Sequence, residues 1–163
     1  MSYLREFIVA YISSVGFAYL FGCPNKSALS SGIVGAIGRM VYKISYTKFL
    51  GLYLSVVIGS YVIAILGEIF ARKFHMPSSM FITPGIANLA PGAGIYYTLS
   101  YFVQEQNDLA SNKLVETLLI AGSIAFGITL ASAGSKSLKG FKFRRADRIK
   151  YVDNNLVDKE EKK

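Results

Sequence analysis

The residues of this sequence that could do chemistry cluster in a stretch without a single charge. Thr83-Pro84-Gly85 and Ala90-Pro91-Gly92 bracket one amide side chain, Asn88, and no Asp, Glu, Lys or Arg occurs from Met76 to Gln104. Proline removes a backbone donor and clashes with the preceding turn, and glycine loosens what remains. With Pro77, Pro84 and Pro91 each seven residues from the next, and Gly85, Gly92 and Gly94 beside them, one regular helix cannot form. The pattern predicts a half-helix near Ser78–Ala87, an unwound stretch Asn88–Gly92 and a second helix near Ala93–Gln104. Unwound carbonyls can receive a cation. The helix start after Pro91 would present the N–H groups of Gly92, Ala93 and Gly94, with the positive end of the helix dipole, to an anion. That is the chemistry of binding rather than of bond cleavage, and its plain structural counterpart is a kinked helix that holds no ligand. Tyr96 and Tyr97 either add hydroxyls to such a cavity or belong to an interfacial aromatic belt.

Few charges accompany this segment. Arg39 lies within the apolar run Ser27–Tyr46 and cannot face lipid cheaply. It has two readings, neutralising a substrate carboxylate or pairing with an acid on another subunit. Lys43 is one turn further on and can snorkel to the interface. Glu68 and Arg72 are four apart and share a helix face. Glu68 is then either half of an anchoring ion pair or an interior carboxylate that titrates during transport, a candidate for proton coupling. His75 falls in a loop beside Arg72 and Lys73. Catalysis finds no footing: no Ser/His/Asp set, phosphate-binding glycine loop or metal-ligand spacing occurs. With one Cys and one His, neither a metal site nor a cofactor is expected, and lone Cys23 supports no disulfide framework.

The elements that must position these residues are apolar helices. Phe7–Asn25, Phe49–Gly67, Met76–Gln104 and Thr117–Ser135 carry no charge, and each is long enough to cross a hydrocarbon core of about 30 Å with about 20 residues. The 163-residue chain is 52% hydrophobic without the polar face of a soluble helix, which predicts an all-α, polytopic membrane bundle of about five crossings, one of them broken by Pro and Gly. Predicted helices lie near Leu4–Gly22, Ser27–Tyr46, Lys48–Ala71 and Asn112–Ser135, around the broken segment. Phe7–Asn25 reads as a retained helix rather than a cleaved leader, because Arg5 and Glu6 make no positive flank. Small residues recur every four positions: Ala10, Ser14, Ala18, Gly22; Ala28, Gly32, Ala36; Gly51, Ser55, Gly59; Ser123, Gly127, Ala131, Ser135. Such ladders let helices approach closely in lipid.

The net charge of +8 is concentrated after the last apolar segment, where Lys136, Lys139, Lys142, Arg144, Arg145, Arg148 and Lys150 face only Asp147. This is a cytoplasmic flank under the positive-inside rule and a contact for anionic lipid, not a folded basic face for nucleic acid. Residues 1–137 read as the membrane part and 138–163 as a basic, then charged, cytoplasmic tail, with Asp158–Lys163 disordered. Five crossings then put the N-terminus outside.

Glu68-Ile69-Phe70-Ala71-Arg72-Lys73, Pro77, Phe81, Thr83-Pro84-Gly85-Ile86 and Leu89-Ala90-Pro91-Gly92-Ala93-Gly94-Ile95-Tyr96-Tyr97, with Gly35-Ala36-Ile37-Gly38-Arg39, resemble the threonine/serine exporter family, in particular the small subunit of its split, two-gene form. The resemblance implies a cytoplasmic-membrane exporter of threonine and serine, or of small dicarboxylates in some members, with proton coupling and a larger subunit carrying the other half of the fold. Ala87-Asn88 departs from the family pattern, where an aliphatic or proline-containing stretch is commoner. A homo-oligomer could supply the missing half instead. The competing function is a scaffold or channel-like accessory subunit that never touches substrate.

Overall fold

The computed structural model describes residues 2–48 and 51–160, with side chains placed only as far as residue 134. Among the described residues the chain is all-helical: α1 Ser2–Leu20, α2 Asn25–Thr47, α3 Leu52–Phe74, α4 Ser79–Ile86, α5 Gly92–Val103 and α6 Asn107–Glu160. Met1–Ala131 form one compact unit and Ser132–Lys163 a second. The expected break is present: four residues of turn and bend and then Pro91 separate α4 from α5. Alone, the 8 residues of α4 and 12 of α5 reach about 12 and 18 Å at 1.5 Å per residue, short of a hydrocarbon core of about 30 Å. By contrast, Leu52–Phe74 and Asn107–Gly134, 23 and 28 residues long, are each apolar and long enough to cross as single helices.

The final helix departs from the expected end at Ser135. No proline follows Pro91, and Lys, Arg, Leu and Glu are good helix formers, so the charges that end an apolar span do not end the helix. Asp158–Glu160, expected to be disordered, lie within α6; residues 161–163 of that expectation lie outside the described residues.

Inside and outside are inverted relative to a water-soluble domain. Ser14, Ser27, Ser31, Ser55 and Ser60 are fully buried, while Leu4, Ile12, Leu20, Val103 and Leu118 are more than half exposed. In water such a surface would be a large apolar liability; against lipid tails it is the favourable arrangement, and small residues inside allow close packing. Buried serines return their hydrogen bonds to their own helices, as from Ser31 Oγ to Ala28 O (2.8 Å) and Ser60 Oγ to Val57 O (3.0 Å). The small-residue ladders land on these contacts in part: Ser14 meets Gly35 of α2, Ala18 clusters with Ala28, and Ala28 and Ala36 are fully buried. Gly22 and Gly51 are exposed, with open space at the Cβ position.

α2 is the centre of the compact unit, packed on α1, α3 and α4. Val34, Val56, Ile63, Leu89 and Ile124 join α2, α3, the break and α6 in one apolar core. Phe81 of α4 is fully buried between Phe70 and Phe74 of α3, ring centroids 6.2 and 6.0 Å away. α1, α3 and α5 end alike. Gly22, His75 and Glu105 take positive φ (68°, 55° and 57°), and the next amide reaches back five residues, Cys23 to Ala18, Met76 to Ala71 and Gln106 to Tyr101. Last-turn carbonyls are thereby satisfied inside the chain.

α3 lies hard against Gly38 of α2, where an added Cβ would collide with the side chain of fully buried Ile63. Gly38→Val is expected to destabilise the detergent-purified protein by about 1–3 kcal/mol, the usual range for overpacking. Gly122, where a Cβ meets nothing within 4 Å, is the control position. Equal melting temperatures for Gly38→Val and Gly122→Val would refute the packing account.

Candidate functional site

Pro91 has no amide hydrogen for the carbonyl of Ala87, four residues back. The next amide, Gly92 N–H, donates to Ala90 O (2.8 Å) instead of reaching Asn88 O. Pro91 sits at φ −80°, ψ 49°, close to an inverse γ-turn. The Asn88 carbonyl therefore has no partner along its own helix, and Arg39 of α2 supplies one, Nη1 donating at 3.2 Å. The guanidinium also lies 5.3 Å from the ring centroid of Tyr42, a cation–π distance. Among the described residues, no carboxylate forms an ion pair with Arg39.

The Asn88 side chain turns the other way. Its Nδ2 donates to Ala10 O (2.9 Å) and Ser14 Oγ (2.7 Å), so the break is tied to α1 as well as α2. Gly35 makes room: a Cβ there would collide with Ser14 Oγ and come within 2.9 Å of Asn88 Nδ2. Pro84 leaves a similar debt half a helix earlier. It cannot donate to Met80 O, and the buried Cys23 thiol lies 3.8 Å from that carbonyl as a weak donor.

Arg39 and Asn88 face two cavities. One, of about 510 Å³, runs along α1 and is lined by Arg5, Glu6, Val9, Ala10 and Ser13. The other, of about 270 Å³, is enclosed by Tyr42 of α2, Leu52 and Val56 of α3, Leu89–Pro91 in the break, Ala93 and Gly94 of α5, and Lys113, Glu116, Thr117 and Ile120 of α6. Here the α5 N-terminus and the Arg39 guanidinium give one wall a positive character. Lys113 Nζ and Glu116 Oε2 are paired at 2.7 Å on another.

The expected site residues separate into two groups. Arg39, Asn88, Pro91, Ala93 and Gly94 come together at this second cavity. Gly92 does not line it and has open space at its Cβ; the tight contact of this helix start is at Gly94, where a Cβ would collide with Thr117 Oγ1. Pro84 and Gly85 are buried against α2 and α3, where Gly85 lets Ile63 and Val34 approach. Tyr96 and Tyr97 are 67% and 49% exposed and line neither cavity. They pack on each other edge to face, and Tyr97 stacks on Tyr101. Glu68 is paired with Arg72 at 3.2 Å and also lies outside both linings. Lys43, expected to snorkel, is paired with Glu6, with Tyr3 beneath its ammonium at 4.9 Å. Lys113, Glu116 and Thr117 escaped the sequence reading, because they lie at the polar flank of an apolar segment. Their one local signal is an acid and a base three apart in the opening turns of a helix.

A membrane bundle with a broken helix whose loose ends border cavities holding charged side chains is the construction used by secondary transporters. Residues 6–133 match the family described as Threonine/Serine exporter, ThrE, and the chain belongs to the threonine/serine exporter family, a family of membrane proteins. It is 23% identical over 124 residues to the threonine/serine exporter of Corynebacterium glutamicum, covering 75% of this chain and 25% of that protein. It is 26% identical over 139 residues to an uncharacterized protein of Haemophilus influenzae, covering 78% of this chain and 46% of that one. The chain thus spans less than half the length of these curated relatives. No solved structure matches it.

Asn88→Ala removes both side-chain bonds to α1 and is expected to lower stability by about 1–3 kcal/mol, at about 0.5–1.5 per hydrogen bond. Ser14→Ala removes only one and should cost less. Thermal unfolding in detergent checks this, and an unchanged midpoint for Asn88→Ala would contradict the tie between the break and α1.

Proposed function

We propose that the chain is one half of an exporter of small amino acids, with its substrate held by the carboxylate in the cavity bordered by Arg39, the break and the start of α5. The observation that carries this reading is the Arg39 guanidinium, which borders a largely apolar cavity carrying a few charged groups and has a backbone carbonyl, and no carboxylate among the described residues, as its hydrogen-bond partner. A charged acceptor makes a shorter and stronger bond to arginine than a neutral carbonyl does. At about 270 Å³ the cavity falls just below the roughly 300–1,000 Å³ of sites for drug-sized ligands and suits a solute of few atoms. Its lining carries Arg39, Lys113 and Glu116, one positive charge in excess. Charges of both signs line it, so the carboxylate and the ammonium of an amino acid each find an opposite charge, whereas a dicarboxylate would set its second carboxylate beside Glu116. Glu68 does not enter this reading, because its carboxylate is held by Arg72 outside the cavity.

The other half of the machine is a complementary polypeptide. The larger cavity exposes Arg5, Glu6, Ser13, Arg39 and Asn88 along one side of α1. Polar groups at such a position are costly against hydrocarbon and belong beneath another protein surface. Transporter sites commonly form between two repeats, and the Corynebacterium relative is about four times the length of the matched region. A second copy of this chain would meet the same need by symmetry.

Cells expressing the chain with its complementary subunit and preloaded with labelled threonine or serine are expected to export them. Arg39→Gln should cut the rate about tenfold or more at unchanged membrane abundance, the scale of losing a charge-assisted bond. Full export by Arg39→Gln would refute the site. Export by the isolated chain, reconstituted as a verified monomer, would refute the need for a second half.

The reading also takes α1, α2, α3, the α4–α5 pair and α6 as five crossings, with the N-terminus outside and the basic tail in the cytoplasm. A cysteine introduced at Lys139 should react with a membrane-impermeant maleimide only after the cells are permeabilised. Labelling in intact cells would invert the topology.

A further inference from the structure

We infer that the Lys113–Glu116 pair of α6 is the second pole of the cavity, with Glu116 receiving the substrate's ammonium group and Lys113 holding that place when the cavity is empty. The inference rests on the reading of the cavity as an amino-acid site and adds the residue that distinguishes an amino acid from a simple carboxylic acid. Arg39 and Glu116 line the same small space with opposite charges, and Lys113, the other cation of its wall, is paired with Glu116. A zwitterion carries that same pair of charges on neighbouring atoms. The Glu116 carboxylate already binds an ammonium, the Lys113 Nζ at 2.7 Å, so its competence for such a group is visible in the structure.

The pair is also easy to open. Its side chains are 32% and 37% exposed and three residues apart on one helix, and ion pairs this accessible contribute little stability. Lys113 lies two turns from the start of α6 at Asn107, and a lysine stem of four methylenes can carry its ammonium toward water. Once Lys113 has swung away, Arg39, Glu116 and a bound zwitterion sum to zero charge, with each pole paired. A carboxylic acid without the amine would engage Arg39 alone and leave the Lys113–Glu116 pair closed. Thr117, one residue beyond Glu116 and packed against Gly94, keeps this part of α6 against the start of α5.

The test uses the complete assembly purified in detergent and two probes, L-threonine and 3-hydroxybutyrate, which is threonine without its amino group. Wild-type protein should bind threonine more tightly. Glu116→Gln should lower the threonine to 3-hydroxybutyrate affinity ratio about tenfold, the scale of one charge-assisted bond. Glu116→Asp should retain most of the preference, which separates charge recognition from a folding defect. Lys113→Gln, which removes the competitor, should tighten threonine binding. An unchanged ratio in Glu116→Gln, including an equal loss for both probes, would overturn the second pole while leaving the Arg39 site standing. Failure of the wild-type assembly to bind either probe would overturn the amino-acid reading and this inference with it.

Discussion

Ala90 N–H still reaches Ile86 O as in a helix, but the carbonyls of Ala87 and Asn88 are not met by the amides of residues 91 and 92, and in a membrane that lack governs everything nearby. In water, solvent would satisfy the loose carbonyls. In a hydrocarbon core each bare polar group costs several kcal/mol, so irregular backbone survives only where protein or a wet cavity receives it. The fold meets the demand from three directions. Gly92 N–H turns back to Ala90, Arg39 reaches the Asn88 carbonyl, and the Asn88 amide grips α1. Met80 O, left without a donor by Pro84, lies against the Cys23 thiol. The packing of α1, α2 and α4 around the break is therefore a hydrogen-bonding requirement as much as a steric one.

Close approach makes those bonds possible, and small residues make the approach possible. Asn88 can touch Ser14 because Gly35 offers no side chain in the way, and α5 can lie on α6 because position 94 is glycine. Without a hydrophobic force between helices in lipid, such contacts must carry the association through packing and hydrogen bonds. This accounts for a core of Ser, Ala and Gly beneath a coat of Leu, Ile and Phe. It also explains why large apolar side chains cluster where α3, α4 and the break meet, around Ile63, Phe81 and Leu89.

Local chemistry was the legible part of the sequence. Proline and glycine act on their own turn, so the interruption expected at Asn88–Gly92 and found at Ala87–Pro91, with the two short helices around it, could be read within a residue. The small-residue ladders marked packed faces except at Gly22 and Gly51. What lay beyond reach was long-range. Asn88 stood out as an amide in an apolar stretch, yet nothing in its neighbourhood pointed to Ser14, 74 residues away. Lys113 and Glu116 resembled any charged flank until α6 was folded against the start of α5. Tyr96 and Tyr97 adjoin the break in sequence and left two readings open; the helical turn leaves them outside both cavity linings, a placement their neighbourhood in sequence did not decide. The end of α6 was misplaced for another reason. Charge ends an apolar segment, whereas helix geometry ends only at a residue unable to continue it.

A site for a transported solute must release its cargo, and on the proposed reading the two charged poles of this cavity serve release. With the cavity empty, a bare guanidinium and a bare carboxylate would each be poorly solvated at the mouth of an apolar bundle. The structure leaves neither bare. Asn88 O accepts from Arg39, and Lys113 occupies Glu116. Both placeholders are weaker partners than the groups they stand in for, a neutral carbonyl in one case and an accessible ion pair in the other. On the proposed reading, binding exchanges each placeholder for a substrate group, and departure returns it. The cavity then passes between empty and occupied states with Arg39 and Glu116 partnered in both, and the Lys113 ammonium is released to water when substrate is bound. Its affinity is set by the difference between two sets of partners rather than by the full strength of either. Arg39 serves fold and site at once under this arrangement, since the bond that satisfies the broken helix is the bond the substrate displaces.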